Sequence, residues 1–119
     1  MNIEELREHC LGLKGVTEGF PFGGAVLVFK VAEKIFLFAM LDQTPLRFNA
    51  KCDPEKINEM RERHSCVVPG YHMNKKHWNT IIIDGSASDK LLKEWIDHSY
   101  EQVVLGLPQK EWNKLKNNQ

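Results

Sequence analysis

Two apolar runs, residues 25–31 and 34–41, flank the dipeptide Ala32-Glu33. Both runs are rich in Val, Phe, Ile and Leu, and a two-residue spacer is the length of a tight hairpin connection. The pattern predicts two neighbouring antiparallel strands, largely buried, that commit the chain to a sheet built from hairpins. Leu46, Phe48 and Ala50 then alternate with Arg47, Asn49 and Lys51, the period-two signature of a third strand with one packed face and one wet face. That strand is expected to present a basic row outward.

Helical spacing brackets these strands. Ile3, Leu6, Cys10 and Leu13 predict a first helix over residues 2–14, closed near Gly15. The segment Thr17 to Gly24 carries glycines and a proline and reads as a loop, with Phe20 and Phe22 as anchors that either close one end of a core or line a partner groove. Asp53 and Pro54 read as the N-cap and first position of a second helix through Ile57, Met60, Arg61 and His64. Val67 and Val68 suggest a short strand, and Trp78 to Ile83 a longer one. Ser86 with Asp89 resembles a capping box for a third helix that ends at Gly106, and Pro108 opens a fourth through Trp112 and Leu115. The order α-β-β-β-α-β-β-α-α, without βαβ alternation, predicts a two-layer α+β fold: an antiparallel sheet with the helices packed on one face.

A length of 119 residues suits one domain spanning residues 1–119. Sixteen basic and sixteen acidic side chains balance, which excludes a surface that is uniformly an electrostatic trap. The distribution is uneven: residues 45–80 hold seven basic against four acidic side chains. The middle third is the candidate basic surface. Cys10, Cys52 and Cys66 form no CxxC pair, so a reducing, cytoplasmic setting is expected, and no run approaches the roughly 20 apolar residues of a membrane helix. The opening residues resemble no leader peptide.

The run Pro69-Gly70-Tyr71-His72-Met73-Asn74-Lys75-Lys76-His77-Trp78-Asn79-Thr80 concentrates polar and aromatic groups just before the last strand. His64, Cys66, His72 and His77 invite a zinc reading, but their spacing matches no ligand pattern, and no metal or other cofactor is expected. No nucleophile elbow or phosphate-binding glycine loop occurs, and free cysteine is more often a small buried side chain than a nucleophile. A plain solvated turn accounts for the run as well as an anion-binding edge does. In the second case Arg47, Lys51, Lys75 and Lys76 would neutralise phosphates, His72 and His77 would add pH-dependent contacts, an exposed aromatic could stack on a base, and Asn74 and Trp78 would position the loop.

Several segments together carry a resemblance: Phe20-Pro21-Phe22-Gly23, the strand Lys34-Ile35-Phe36-Leu37-Phe38, Lys51-Cys52-Asp53-Pro54-Glu55, the run from Pro69 to Thr80, Asp84-Gly85, and Ser99-Tyr100 followed by Leu107-Pro108. On these residues the chain resembles the MmcQ/YjbR family of small bacterial proteins. The resemblance implies a fold similar to CyaY-like proteins and type III secretion chaperones, and DNA binding in which paired β-hairpins act as wings. Related folds bind protein segments instead. The expectation is a non-enzymatic domain, monomeric or weakly dimeric, that binds DNA weakly and in a salt-sensitive way. A chaperone-like module docking a protein partner is the alternative.

Overall fold

A computed structural model describes residues 1–70 and 73–117. Its elements run α1 (Ile3–Leu11), β1 (Val16–Gly19), β2 (Val26–Val31), β3 (Lys34–Met40), β4 (Arg47–Lys51), α2 (Ile57–Arg63), β5 (Val67–Pro69), β6 (Trp78–Ile82), α3 (Asp89–Leu105) and α4 (Gln109–Asn117). The six strands form one antiparallel sheet in the order β1-β2-β3-β4-β6-β5. The fold is α+β, as the pattern predicts, with one strand more than the pattern contains.

The β2–β3 hairpin turns at Ala32 and Glu33, whose φ values of 50° and 65° are both left-handed. A two-residue loop with both positions in that region matches the twist of the flanking strands, and the register demands it even of residues that are not glycine. One face of the sheet carries Leu27, Phe29, Leu37, Ala39, Phe48, Ala50 and Ile81, all buried. Leu92, Trp95, Ile96 and Val103 of α3 and Leu6 and Cys10 of α1 join them in one core. A bulge between Phe29 and Lys30 shifts the β2–β3 register, and both Phe36 and Leu37 are buried in that core.

Beyond the bulge, α3 supplies what the ladder lacks. Ser99, fully buried, accepts from Lys51 N at 2.7 Å and donates to Phe36 O. Its hydroxyl joins β3 to β4. Tyr100 packs edge-on against Phe36 and donates to Lys14 O at 2.6 Å, which ties α3 to the end of α1.

Five expectations need correction. Thr17, Glu18 and Gly19 lie in a strand rather than a loop: β1 pairs on one side only, so it tolerates them where a central strand would not. Phe20 and Phe22 do not close the core; they are 52% and 67% exposed. Asp53 caps a turn one step before α2, its Oδ1 accepting from Glu55 N at 2.9 Å and its carbonyl from Lys56 N at 2.9 Å, and the helix proper begins at Ile57. The cap of α3 is Ser88, which accepts from Leu91 N at 3.1 Å, while Ser86 bonds back to Asp84. The first helix is shorter than its apolar spacing suggests, starting from a capping box of Asn2 and Glu5.

Candidate nucleic-acid interface

The segment before β6 is shaped by its own backbone. Gly70 N donates to Trp78 O at 3.0 Å, closing the base of the loop. At the tip, Asn74 Oδ1 accepts from Lys76 N at 2.9 Å, and the Asn74 carbonyl accepts from His77 N at 3.1 Å and Trp78 N at 3.0 Å. Asparagine suits this position because its short amide can stand in for a backbone turn. His77 O in turn accepts from Cys52 N at 2.9 Å, so the loop continues the β4–β6 pairing past Lys51.

A residue the sequence pattern assigns no role holds this loop from the side. Arg61 of α2 donates through Nε to Asn79 Oδ1 at 2.7 Å, and through its terminal nitrogen to Trp78 O at 3.2 Å and to Lys75 O. The available signal is positional: Arg61 lies in the stripe with Ile57, Met60 and His64, where a helix of this kind turns inward. An arginine on that stripe needs acceptors, and the loop carbonyls supply them.

The β4–β6 register decides which predicted residues meet. Lys51 lies opposite Trp78, and its Nζ stands 5.9 Å from the Trp78 ring centroid, within cation–π range. Asn74, Lys75 and Lys76 are exposed and His77 half-buried at the same end of the sheet. Among the described residues, Lys51, Lys75 and Lys76 make no ion pair with a carboxylate. Among the described residues, Lys75 Nζ reaches the Gly70 carbonyl, at 3.5 Å.

Arg47 is not part of this group. It lies opposite Ile82, four residues along β4 from Lys51, a separation of about 13 Å at the rise of an extended strand. The expected outward row is also interrupted, because Asn49 between them is fully buried and accepts from Thr80 Oγ1. Trp78 is only 7% exposed and tilts against Phe38 at 6.1 Å, so it is a support for Lys51 and the loop rather than a stacking platform. His72 lies outside the described residues.

Other histidines and cysteines are occupied in packing and capping, and His9 Nε2 contacts Asp97 Oδ1 at 2.7 Å. His64 stacks edge-on against Trp95 at 4.9 Å. His98 Nε2 accepts from Asp53 N at 3.1 Å, and burial, with Lys56 nearby, holds its imidazole below the usual histidine range. Burial and the adjacent Asp53 raise the Cys52 thiol, which works against a thiolate nucleophile there. Cys10 is pushed up to about 12 by burial and by the charges of Asp97 and Glu18. Among the described residues, no three His, Cys, Asp or Glu side chains are grouped so that they could hold a metal ion.

Comparison with known proteins gives a consistent result. A family model described as YjbR matches residues 11–102. The uncharacterized protein YjbR of Escherichia coli K12 is 34% identical over 113 residues, covering 93% of this chain and 94% of the relative. The uncharacterized protein YbdF of Escherichia coli O157:H7 is 33% identical over 113 residues, with 95% and 93% covered. A crystal structure of Deinococcus radiodurans protein DR2400, described as a DUF419 domain, superposes with a TM-score of 0.90 at 37% identity, covering 97% of this chain and 88% of that one. A Pseudomonas syringae protein shares the fold at a TM-score of 0.74 and 21% identity, over 86% of this chain and 98% of its own.

Proposed function

The chain belongs to the YjbR family, and from that premise we propose that it is a non-enzymatic binding protein that engages nucleic acid through the end of the sheet formed by Lys51 and the 74–77 loop. The observation that carries the reading is the Lys51–Trp78 register pair. Lys51 thus stands at the end of the sheet from which the loop carrying the exposed Lys75 and Lys76 extends, none of the three neutralised by a carboxylate among the described residues, and Arg61 stiffens that loop. Phosphate contacts of this kind give affinity without sequence preference.

Three cations set the scale. Each neutralised phosphate contributes about 0.9 to the slope of log affinity against log salt on duplex DNA and about 0.7 on a single strand, so the expected slopes are about −2.7 and −2. Fluorescence anisotropy with duplex and single-stranded oligonucleotides at several salt concentrations measures both. Reversing Lys75 and Lys76 to Glu should abolish binding, whereas Arg47→Glu, at the far end of β4, should change it little. Affinity indifferent to salt and to the Lys75 and Lys76 reversals defeats the reading.

The exposure of Phe20 and Phe22 favours a second reading, in which a protein partner docks on the β1–β2 loop. Replacing both with Ser would then remove a co-purifying partner and leave oligonucleotide behaviour unaffected.

A further inference from the structure

The two ends of the sheet differ in charge. Lys51 and the lysine loop stand at one end, and the other collects the start of α1, the turn that follows β3 and the turn that follows β6. Met1, Ile3, Leu41, Leu46 and Ile83 surround an open groove of about 520 Å³ there, within the roughly 300–1,000 Å³ range of binding clefts. The rest of its lining is polar but uncharged. Leu41 is 37% exposed, its amide donating to Ala25 O at 2.8 Å, and Ile83 N donates to Leu46 O, also at 2.8 Å. The apolar walls thus stand on paired backbone.

Three of these walls are each followed directly by an acid. Glu4 comes after Ile3, Asp42 after Leu41 and Asp84 after Ile83, and all three are exposed. Among the described residues none of them is in an ion pair. Ser86 donates to Asp84 Oδ1 from its amide at 3.0 Å and its hydroxyl at 2.6 Å, which holds that carboxyl below the usual carboxylate range. The cations of this end are spent or turned away. The Met1 amine pairs with Asp89 at 2.9 Å and Arg7 pairs with Glu18. Arg47 belongs to the helix-free face of β4 and Lys90 to the first turn of α3, and neither lines the groove.

We propose that this groove docks a cationic protein segment that carries bulky apolar side chains. The apolar groups fill the space between Leu41, Leu46 and Ile83, and lysine or arginine side chains meet Glu4, Asp42 and Asp84. Apolar burial supplies the affinity, and the rim charges select the sign of the partner and its orientation. The same charges repel nucleic acid and anionic lipid. The site needs neither the lysine loop nor Phe20 and Phe22, so it stands apart from both readings above.

A hexapeptide alternating lysine and leucine, acetylated and amidated at its ends, tests the assignment by nuclear magnetic resonance titration at low salt. It should shift the backbone amides of Leu41, Asp42, Leu46 and Ile83 saturably. A glutamate–leucine hexapeptide, which keeps the apolar groups, and a lysine–glycine one, which keeps the charge, should each bind at least about tenfold more weakly. Asp42→Lys should weaken the lysine–leucine peptide about three- to tenfold, the reversal of one exposed charge contact, and Leu41→Ser should weaken it by removing a wall. Both residues are exposed, and an otherwise unchanged spectrum shows that each variant keeps the fold. Lys75→Glu with Lys76→Glu should leave the shifts at Leu41 and Asp42 intact. Equal binding of the three peptides, shifts that avoid the groove, or indifference to both groove variants would each overturn the assignment. Concentration-dependent shifts of the same amides without peptide would overturn it as well, because the occupant would then be a second copy of this chain.

Discussion

Arg61 and Asn79 sit 18 positions apart in the chain, yet the Arg61 Nε donates to Asn79 Oδ1 at 2.7 Å while the same guanidinium reaches the carbonyls of Lys75 and Trp78. One side chain thereby fixes α2, β6 and the lysine loop relative to each other. Hydrogen bonds to a charged group contribute about 1.5–3 kcal/mol each where they are shielded from water. Arg61→Met should lower the stability by about 2–4 kcal/mol in urea unfolding, with salt-dependent oligonucleotide binding weakened in the folded fraction as the loop loses its shape. An unchanged urea midpoint would show that the loop holds itself.

Ser99 makes a second such joint, between Lys51 N and Phe36 O. Ser99→Ala leaves both backbone groups buried and unpaired and should cost about 2 kcal/mol. Amide exchange locates the effect: the Lys51 amide should lose protection in the variant, and retention of that protection would contradict the role given to Ser99.

Gly70 faces Trp78 so closely that an added Cβ would meet the Trp78 Cβ at 2.9 Å and its carbonyl oxygen at 3.0 Å. Both contacts are with rigid atoms, so the strand ends must separate to admit a methyl group. Gly70→Ala should destabilise the chain by about 1–3 kcal/mol, read as a lower thermal midpoint, and an unchanged midpoint would mean that the 70–78 loop base can open freely.

His98 predicts a pH dependence. Its Nε2 must be unprotonated to accept from Asp53 N, and burial first, then Lys56, depress its affinity for the proton, with Glu101 and Asp53 pulling less strongly the other way. Because the folded value lies below the ordinary 6.5, the unfolded chain takes the proton first. This contribution is complete above pH 6.5 and declines as pH falls below it toward the folded value. His98→Gln, which keeps an acceptor without the titration, should flatten that part of the stability profile measured by urea unfolding between pH 7 and pH 5. A profile identical to the parent would exclude His98 as its source.

The β2–β3 hairpin was readable because its signal is local: two apolar runs and a two-residue spacer carry their own register. Strand β1 was hidden because a strand with a single neighbour needs little apolar patterning, and Gly19 and Pro21 look like interruptions. The lysine loop was visible as composition, but its partners were not. That Lys51 faces Trp78 while Arg47 faces Ile82 depends on pairing between β4 and β6, which are separated in sequence by α2 and β5, and residue spacing says nothing about that register. Arg61 and Ser99 were unreadable for a related reason, since each is a common helix-surface residue type until the acceptors and donors of a distant strand come within reach.

The two outermost strands have a consequence for solution behaviour. β1 offers four residues and β5 three, and β5 stops at Pro69, which has no amide hydrogen to give. A neighbouring polypeptide that tried to lengthen the sheet sideways would find too few free backbone groups to hold it. Brevity at the margins thus guards a sheet with such an apolar interior against fibrous growth.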